Sequence, residues 1–154
     1  MGDGNPYITS EGLEKITEEL RVLKYVRRKE IADKIERAKE LGDLSENAEY
    51  QEAKDEQAFT EGRILELETL LNTATVVAAP SGTKQVSIGS TVTVRQNGDE
   101  RVFIIVGANE AEPAKGKISN ESPLGRSLIG ASVGDEIEVV VPKGKVTYKV
   151  RDIA

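Results

Sequence analysis

Two apolar runs at heptad spacing, joined by only a few residues, constrain this chain more than any other feature. In the second run Tyr50, Ala53, Gln57, Thr60, Ile64, Leu67 and Leu71 follow one another at steps of 3, 4, 3, 4, 3 and 4. That is the seam of a helix packed along another helix, and its polar members Gln57 and Thr60 can fix register. The first run contains Leu13, Ile16, Leu20 and Leu23, slips in phase around Arg27-Arg28-Lys29, and resumes at Ile31, Ile35 and Ala38. A slip of this kind locally changes the winding of a helix pair. Thr9 is placed to cap the first helix, with Glu11 and Glu14 near its positive end and Ile8 able to staple onto Leu13. Leu41 is followed by Gly42, a suitable residue just past a helix end. So short a connection forces the two helices antiparallel. An arm of roughly 28 residues at about 1.5 Å per residue reaches about 40 Å. The pair is therefore expected to protrude as a rod, with Leu41-Gly42-Asp43-Leu44-Ser45-Glu46-Asn47-Ala48-Glu49-Tyr50 at its exposed tip.

After Asn72 the pattern changes from helix to strand. Thr75–Ala79 is β-prone, and Pro80-Ser81-Gly82-Thr83 reads as a linker. Val92–Arg95 alternates, Asn97-Gly98 signals a tight hairpin turn, and Val102–Val106 is the return strand. Residues 107–117 read as loop. Ser122-Pro123 is a cap followed by Pro at the first helical position, so Leu124–Ile129 is expected to form a short helix ended by Gly130. Ile137–Val141 and Lys145–Val150 form a second hairpin around Pro142-Lys143-Gly144. The fold class expected is α+β. Residues 1–79 form an antiparallel helical coiled-coil hairpin with an acidic tip at 41–47, and 80–154 an antiparallel sheet with one short helix.

Composition narrows the chemistry. The chain has no Cys and no His, so it offers no thiolate, no imidazole base and no Ser-His pair. A metal site would have to use carboxylates, which suit magnesium or manganese. Residues 1–79 hold 11 basic against 18 acidic side chains, whereas 80–154 hold 10 against 9. A free-standing binder of duplex nucleic acid shows the opposite balance. The acidic arm instead suits a basic surface, a metal or a protein partner. No apolar run approaches membrane-spanning length and the first residues do not resemble a signal peptide, so the expected compartment is the cytoplasm.

Two readings of the tip stand side by side. Asp43 and Glu46 have the spacing of a capping box that would merely start the second helix. Alternatively both point outward and share a hard divalent cation, with further ligands from a partner or a phosphate. Tyr50 is most simply the first seam residue, and Lys54 is either a solvated lysine or a cation that steers a phosphate chain. Gly-rich phosphate-cradling loops are absent, and the basic run Arg27-Arg28-Lys29 is ordinarily a solvated helix face.

Three pieces of the chain together resemble a known family. They are the tip from Leu41 to Tyr50, Glu56-Gln57-Ala58-Phe59-Thr60-Glu61-Gly62-Arg63-Ile64, and Ser122-Pro123-Leu124-Gly125-Arg126-Ser127-Leu128-Ile129-Gly130. In order, spacing and total length they resemble the bacterial transcript cleavage factors of the GreA/GreB family, nearest its GreA branch. The resemblance implies an N-terminal antiparallel coiled coil and a C-terminal domain similar to the FKBP fold. It also implies a transcription elongation factor, a monomer without its own nuclease activity. Such a factor binds RNA polymerase at the secondary-channel rim, inserts its coiled coil, and stimulates cleavage of the 3′ end of backtracked nascent RNA. The catalytic and metal role carries over to Asp43 and Glu46, which would share Mg2+ with the polymerase. Ser45, Asn47, Tyr50 and Lys54 become candidate RNA or tip contacts, and Asn120, Ser122, Pro123 and Arg126 candidate docking residues. The second helix carries only Lys54 and Arg63 among many acids, which favours GreA-like over GreB-like behaviour. The competing readings are an anti-cleavage paralogue that plugs the channel, and a coiled-coil interaction module that supplies no ligands. Anti-cleavage paralogues crowd further acids into the tip, where this chain has Leu44 and Ser45.

Overall fold

Thr9 ends a short strand and starts the first helix: its Oγ1 accepts the Gly12 N–H at 3.1 Å, the cap expected from the sequence. The computed structural model describes residues 4–78, 80, 82 and 84–154. Helix α1 (Ser10–Val22) runs through a π-helical turn (Leu23–Arg27) into α2 (Arg28–Lys39). The π turn is the physical form of the phase slip. Leu23 and Ile31 are eight residues apart instead of seven, and the Arg28 N–H reaches back to the Leu23 carbonyl, absorbing the extra residue. The sequence placed the slip at Arg27-Arg28-Lys29; it lies slightly earlier.

Helix α3 (Ala48–Thr73) packs back along α2. All seven seam residues expected on it are buried or half-buried, with Ala53, Thr60, Ile64 and Leu67 fully so. Opposite them Ile16, Ile31 and Ala38 are buried. Ion pairs flank this seam. Lys24 meets Glu68, Arg28 meets Glu61 at 2.7 Å, and Lys34 meets Glu56 at 3.0 Å, so partner numbers fall as the first segment advances and the helices run antiparallel. These pairs are partly solvent-exposed and fix register more than they stabilise.

The chain divides into two compact units. One is Glu14–Thr73; the other joins the residues up to Leu13 to those from Ala74 onward. In the second unit, β1 (Tyr7–Thr9) pairs in parallel with β2 (Thr75–Val77), Tyr7 opposite Thr75. The boundary read from sequence, between 79 and 80, falls just after β2. The linker expected at 80–83 lies partly on residues 81 and 83, which with 79 are outside the described residues.

The larger sheet has strand order β5-β4-β3-β7-β6, built from β3 (Thr91–Gln96), β4 (Asp99–Val106), β5 (Lys117–Ser119), β6 (Glu136–Val141) and β7 (Gly144–Ile153). Both expected hairpins form. Gln96 faces Asp99 across Asn97-Gly98, whose φ angles of +52° and +86° are those of a type I′ turn. The sheet is mixed, which corrects the antiparallel reading. Residues 107–117 are more than loop: two short 3-10 turns bring the chain back so that β5 adds to β4 in parallel. Helix α4 (Pro123–Leu128) packs against β6. The core lies between them: Val92, Val94, Ile105, Leu128 and Val150 are fully buried, and Phe103 meets Tyr148 edge to face at 6.1 Å.

Candidate functional site

The tip is built by two helix ends and a turn between them. Helix α2 stops at Lys39, and Gly42 takes a φ of +127° that favours glycine and lets the chain reverse. Asp43 then organises a tight turn. Its Oδ1 accepts the Ser45 N–H at 3.0 Å and the Ser45 hydroxyl at 2.9 Å. Both bonds favour the charged form, the backbone bond more, and hold the Asp43 carboxyl below the usual aspartate range. Both go to Oδ1, which leaves Oδ2 open.

The cap of α3 is not Asp43, which corrects the capping-box reading. Asn47 is the cap: its Oδ1 accepts the Tyr50 N–H at 3.1 Å and its backbone carbonyl accepts the Gln51 N–H at 3.1 Å. The other end of the same amide donates from Nδ2 to the Ala38 carbonyl at 2.6 Å. One side chain thus starts α3 and ties it to the end of α2. Glu46 is exposed and enters no hydrogen bond or ion pair among the described residues. Neither acid is used in starting the helix.

The other expected tip residues have intramolecular roles. Ser45 holds Asp43, Tyr50 is half-buried at the head of the seam, and exposed Lys54 donates to Gln57 Oε1 at 2.9 Å. Asp43 and Glu46 fit a hard cation by chemistry, offering Asp43 Oδ2 and the Glu46 carboxylate, which no other described residue occupies. Among the described residues, no group of three or more His, Cys, Asp or Glu side chains is gathered that could hold a metal ion.

The second candidate region is the start of α4. Ser122 Oγ accepts the Gly125 N–H at 3.0 Å and donates to the Ser119 carbonyl at 2.7 Å. Pro123 is exposed at the first helical position, and Arg126 Nε donates to the Glu121 carbonyl at 2.7 Å. The Asn120 N–H donates to the Val106 carbonyl at 2.9 Å. Gly125 is required by close approach, because a Cβ there would stand 1.9 Å from the Ser119 carbonyl oxygen. An apolar hollow of about 320 Å³ opens beside this turn, between Pro123, Leu124 and the Val139–Pro142 end of β6.

Sequence reasoning missed Glu110. It lies on the stretch left as loop, yet its carboxylate accepts the Thr9 N–H at 2.8 Å and also the Thr9 hydroxyl. No local pattern marks a partner 101 residues away.

The chain matches the family model described as "Transcription elongation factor, N-terminal" over residues 6–76, and "Transcription elongation factor, GreA/GreB, C-term" over 80–154. It is 52% identical to the transcription elongation factor GreA of Clostridium botulinum (strain Langeland) over 157 aligned positions, covering 99% of this chain and 98% of that one. It is 50% identical to the GreA of Acetivibrio thermocellus, covering 95% and 94%. Among solved structures, it is similar to the GreA factor homolog 1 of Thermus thermophilus, with 29% identity, 97% and 99% coverage and a TM-score of 0.44. With both family models matched in order and relatives half identical along nearly their whole length, the chain belongs to the GreA/GreB family of transcription elongation factors.

Proposed function

We propose that this protein is a transcription elongation factor that binds bacterial RNA polymerase and stimulates cleavage of backtracked nascent RNA. In this reading the helix pair is a coiled coil that enters the secondary channel, and the sheet unit is FKBP-like and docks at the channel rim through Asn120, Ser122, Pro123 and Arg126. The protein has no nuclease activity of its own and works in the cytoplasm, where the polymerase is. The observation that carries the reading is the cap at Asn47, which leaves Asp43 and Glu46 exposed at the tip with no part in starting α3. A helix of 26 residues spans about 39 Å at about 1.5 Å per residue, long enough to bring that tip to a recessed centre.

Asp43 and Glu46 would hold an Mg2+ ion jointly with the polymerase and the RNA phosphate. When bound, such an ion neutralises phosphate charge and makes its water more acidic. Ser45 keeps Asp43 in one orientation, so Oδ2 is the oxygen presented outward. Glu46 is free to accept a hydrogen bond from the attacking water and orient it in line with the scissile phosphodiester.

The test uses stalled, backtracked transcription complexes with labelled RNA. Wild-type protein is expected to release 3′ fragments. Asp43→Asn and Glu46→Gln should each lower the maximal cleavage rate by orders of magnitude while polymerase binding stays near normal. Added Mg2+ or Mn2+ should restore part of the loss by mass action. Full cleavage by both variants refutes the ligand role. Inhibition of cleavage by wild-type protein would assign it to the channel-plugging reading instead.

A further inference from the structure

Two residues of α3 have no reason within the fold. Phe59 is 78% exposed, the most exposed large apolar side chain among the described residues. Gly62 is helical, has no positive φ, and a Cβ added to it would meet nothing within 4 Å. Glycine is a poor helix residue, and here neither a turn nor a close contact requires it. Both lie off the buried seam. The spacing Asp55, Phe59, Gly62 puts all three on one exposed stripe of the helix.

The stripe borders a groove of about 590 Å³ whose lining includes Leu23, Glu52, Asp55, Phe59, Thr60 and Arg63. Its charges are not balanced. Both cations that line it are committed, Arg27 to Glu30 at 3.2 Å and Glu56 at 3.4 Å and Arg63 to Glu19 at 2.8 Å and Glu66 at 2.9 Å, whereas Glu52 and Asp55 enter no ion pair among the described residues. The surface therefore offers an aromatic knob, a bare backbone notch one turn beyond it, and spare negative charge one turn before it. A glycine lets another backbone approach closely, and exposed aromatics are common anchors of protein interfaces. The spare acids call for Lys or Arg on the partner and disfavour a nucleic-acid strand.

We propose that the outer face of α3 at Asp55, Phe59 and Gly62 is a contact surface for a segment of RNA polymerase that offers an apolar recess beside a basic side chain. This rests on the function proposed above and assigns the arm a grip separate from its tip. Phe59 fills the recess, Gly62 allows the segment's backbone to come close, and Asp55 pairs with its cation. The tip acids then act on a helix held along its side as well as through the sheet unit.

The experiment titrates full-length Phe59→Ala, Gly62→Ala and Asp55→Lys into stalled polymerase complexes, measuring half-maximal factor concentration and plateau cleavage rate separately. Thermal melts of the free proteins accompany each titration. Phe59→Ala and Asp55→Lys should raise the half-maximal concentration about 10-fold or more with the plateau rate retained and melting near wild type. Gly62→Ala should melt higher than wild type yet also require more factor, an opposition that a purely structural glycine cannot give. Asp43→Asn is the control that moves the plateau and not the midpoint. Midpoints within twofold of wild type for Phe59→Ala and Gly62→Ala overturn the surface while leaving the proposed function intact. Wild-type protein that neither binds polymerase nor cleaves overturns both. A wild-type dimer dispersed by Phe59→Ala in sedimentation would give the stripe to a second copy and overturn the polymerase as its occupant.

Discussion

Asn47 is the residue at which the geometry of the tip can be broken most selectively. Replacing it by Ala removes two separable contacts. The cap to the Tyr50 N–H contributes about 1 kcal/mol, the usual value for a side-chain cap. The bond from Nδ2 to the Ala38 carbonyl contributes about 0.5–1.5 kcal/mol. The lower part of that range applies, because the Ala38 carbonyl still accepts the Leu41 N–H at 3.1 Å and is not orphaned. Asn47→Ala should therefore destabilise the helix pair by about 1.5 kcal/mol. Asn47→Asp separates the two contacts. It keeps an oxygen for the Tyr50 N–H and adds a charge at the helix N-terminus worth about 0.3–1 kcal/mol, but cannot donate to Ala38. Its net cost should be about half that of Ala or less. The assay is hydrogen exchange at the amides of Tyr50 and Gln51, with far-UV circular dichroism melts of the full chain. Ala should speed exchange at both amides, and Asp mainly loosen the join to α2. Unchanged Tyr50 exchange in Asn47→Ala would refute the cap assignment, and equal losses in Ala and Asp would refute the division between the contacts.

Gly125→Ala should lower the urea midpoint of the sheet unit by an amount equivalent to about 1–3 kcal/mol, since the new methyl group meets the Ser119 carbonyl; an unchanged midpoint contradicts this. Glu110→Ala should cost about 2 kcal/mol and speed exchange of the Thr9 amide, because a charged acceptor of two bonds is lost; wild-type exchange would refute it. We propose that residues 80–154 fold alone, since every member of the large core, from Val86 to Val150, lies within them; a collapsed, undispersed amide spectrum of that fragment rejects this. The Asp43 pKa is lowered on folding, so the stabilisation its charged form lends the turn is fully present above the unfolded pKa and is lost as pH falls through the lower folded value. Ser45→Ala removes the hydroxyl and keeps the N–H, so a carboxyl titration by NMR should recover part of the shift; no change at all excludes the hydroxyl as a cause.

What was legible in the sequence was periodic or local. The α3 seam, the Asn97-Gly98 turn and the Ser122-Pro123 helix start each announce themselves within a few residues, and all three form. The misses are short or distant. Strands β1 and β5 have three residues each, too few to show alternation, and each finds its partner by a parallel crossover that local pattern cannot reveal. The cap at Asn47 was hidden by a competitor, since Asp43 and Glu46 have the textual spacing of a capping box. The seam beginning at Tyr50, three residues after an Asn, was the signal that could have decided it. The side-chain roles of Ser45 and Glu110 depend on conformation and are not written in spacing at all.

The π turn at Leu23–Arg27 makes chain length and side-chain phase independent at one place on the first helix. Elsewhere, losing a residue would swing everything beyond it by about 100° and carry Ile35 and Ala38 off the seam. Within the π turn, the same loss would relax the wide turn to an ordinary one and leave both flanking segments facing α3 as before. The first helix thus contains a spare residue, and the arm can be shortened by one without being rewound.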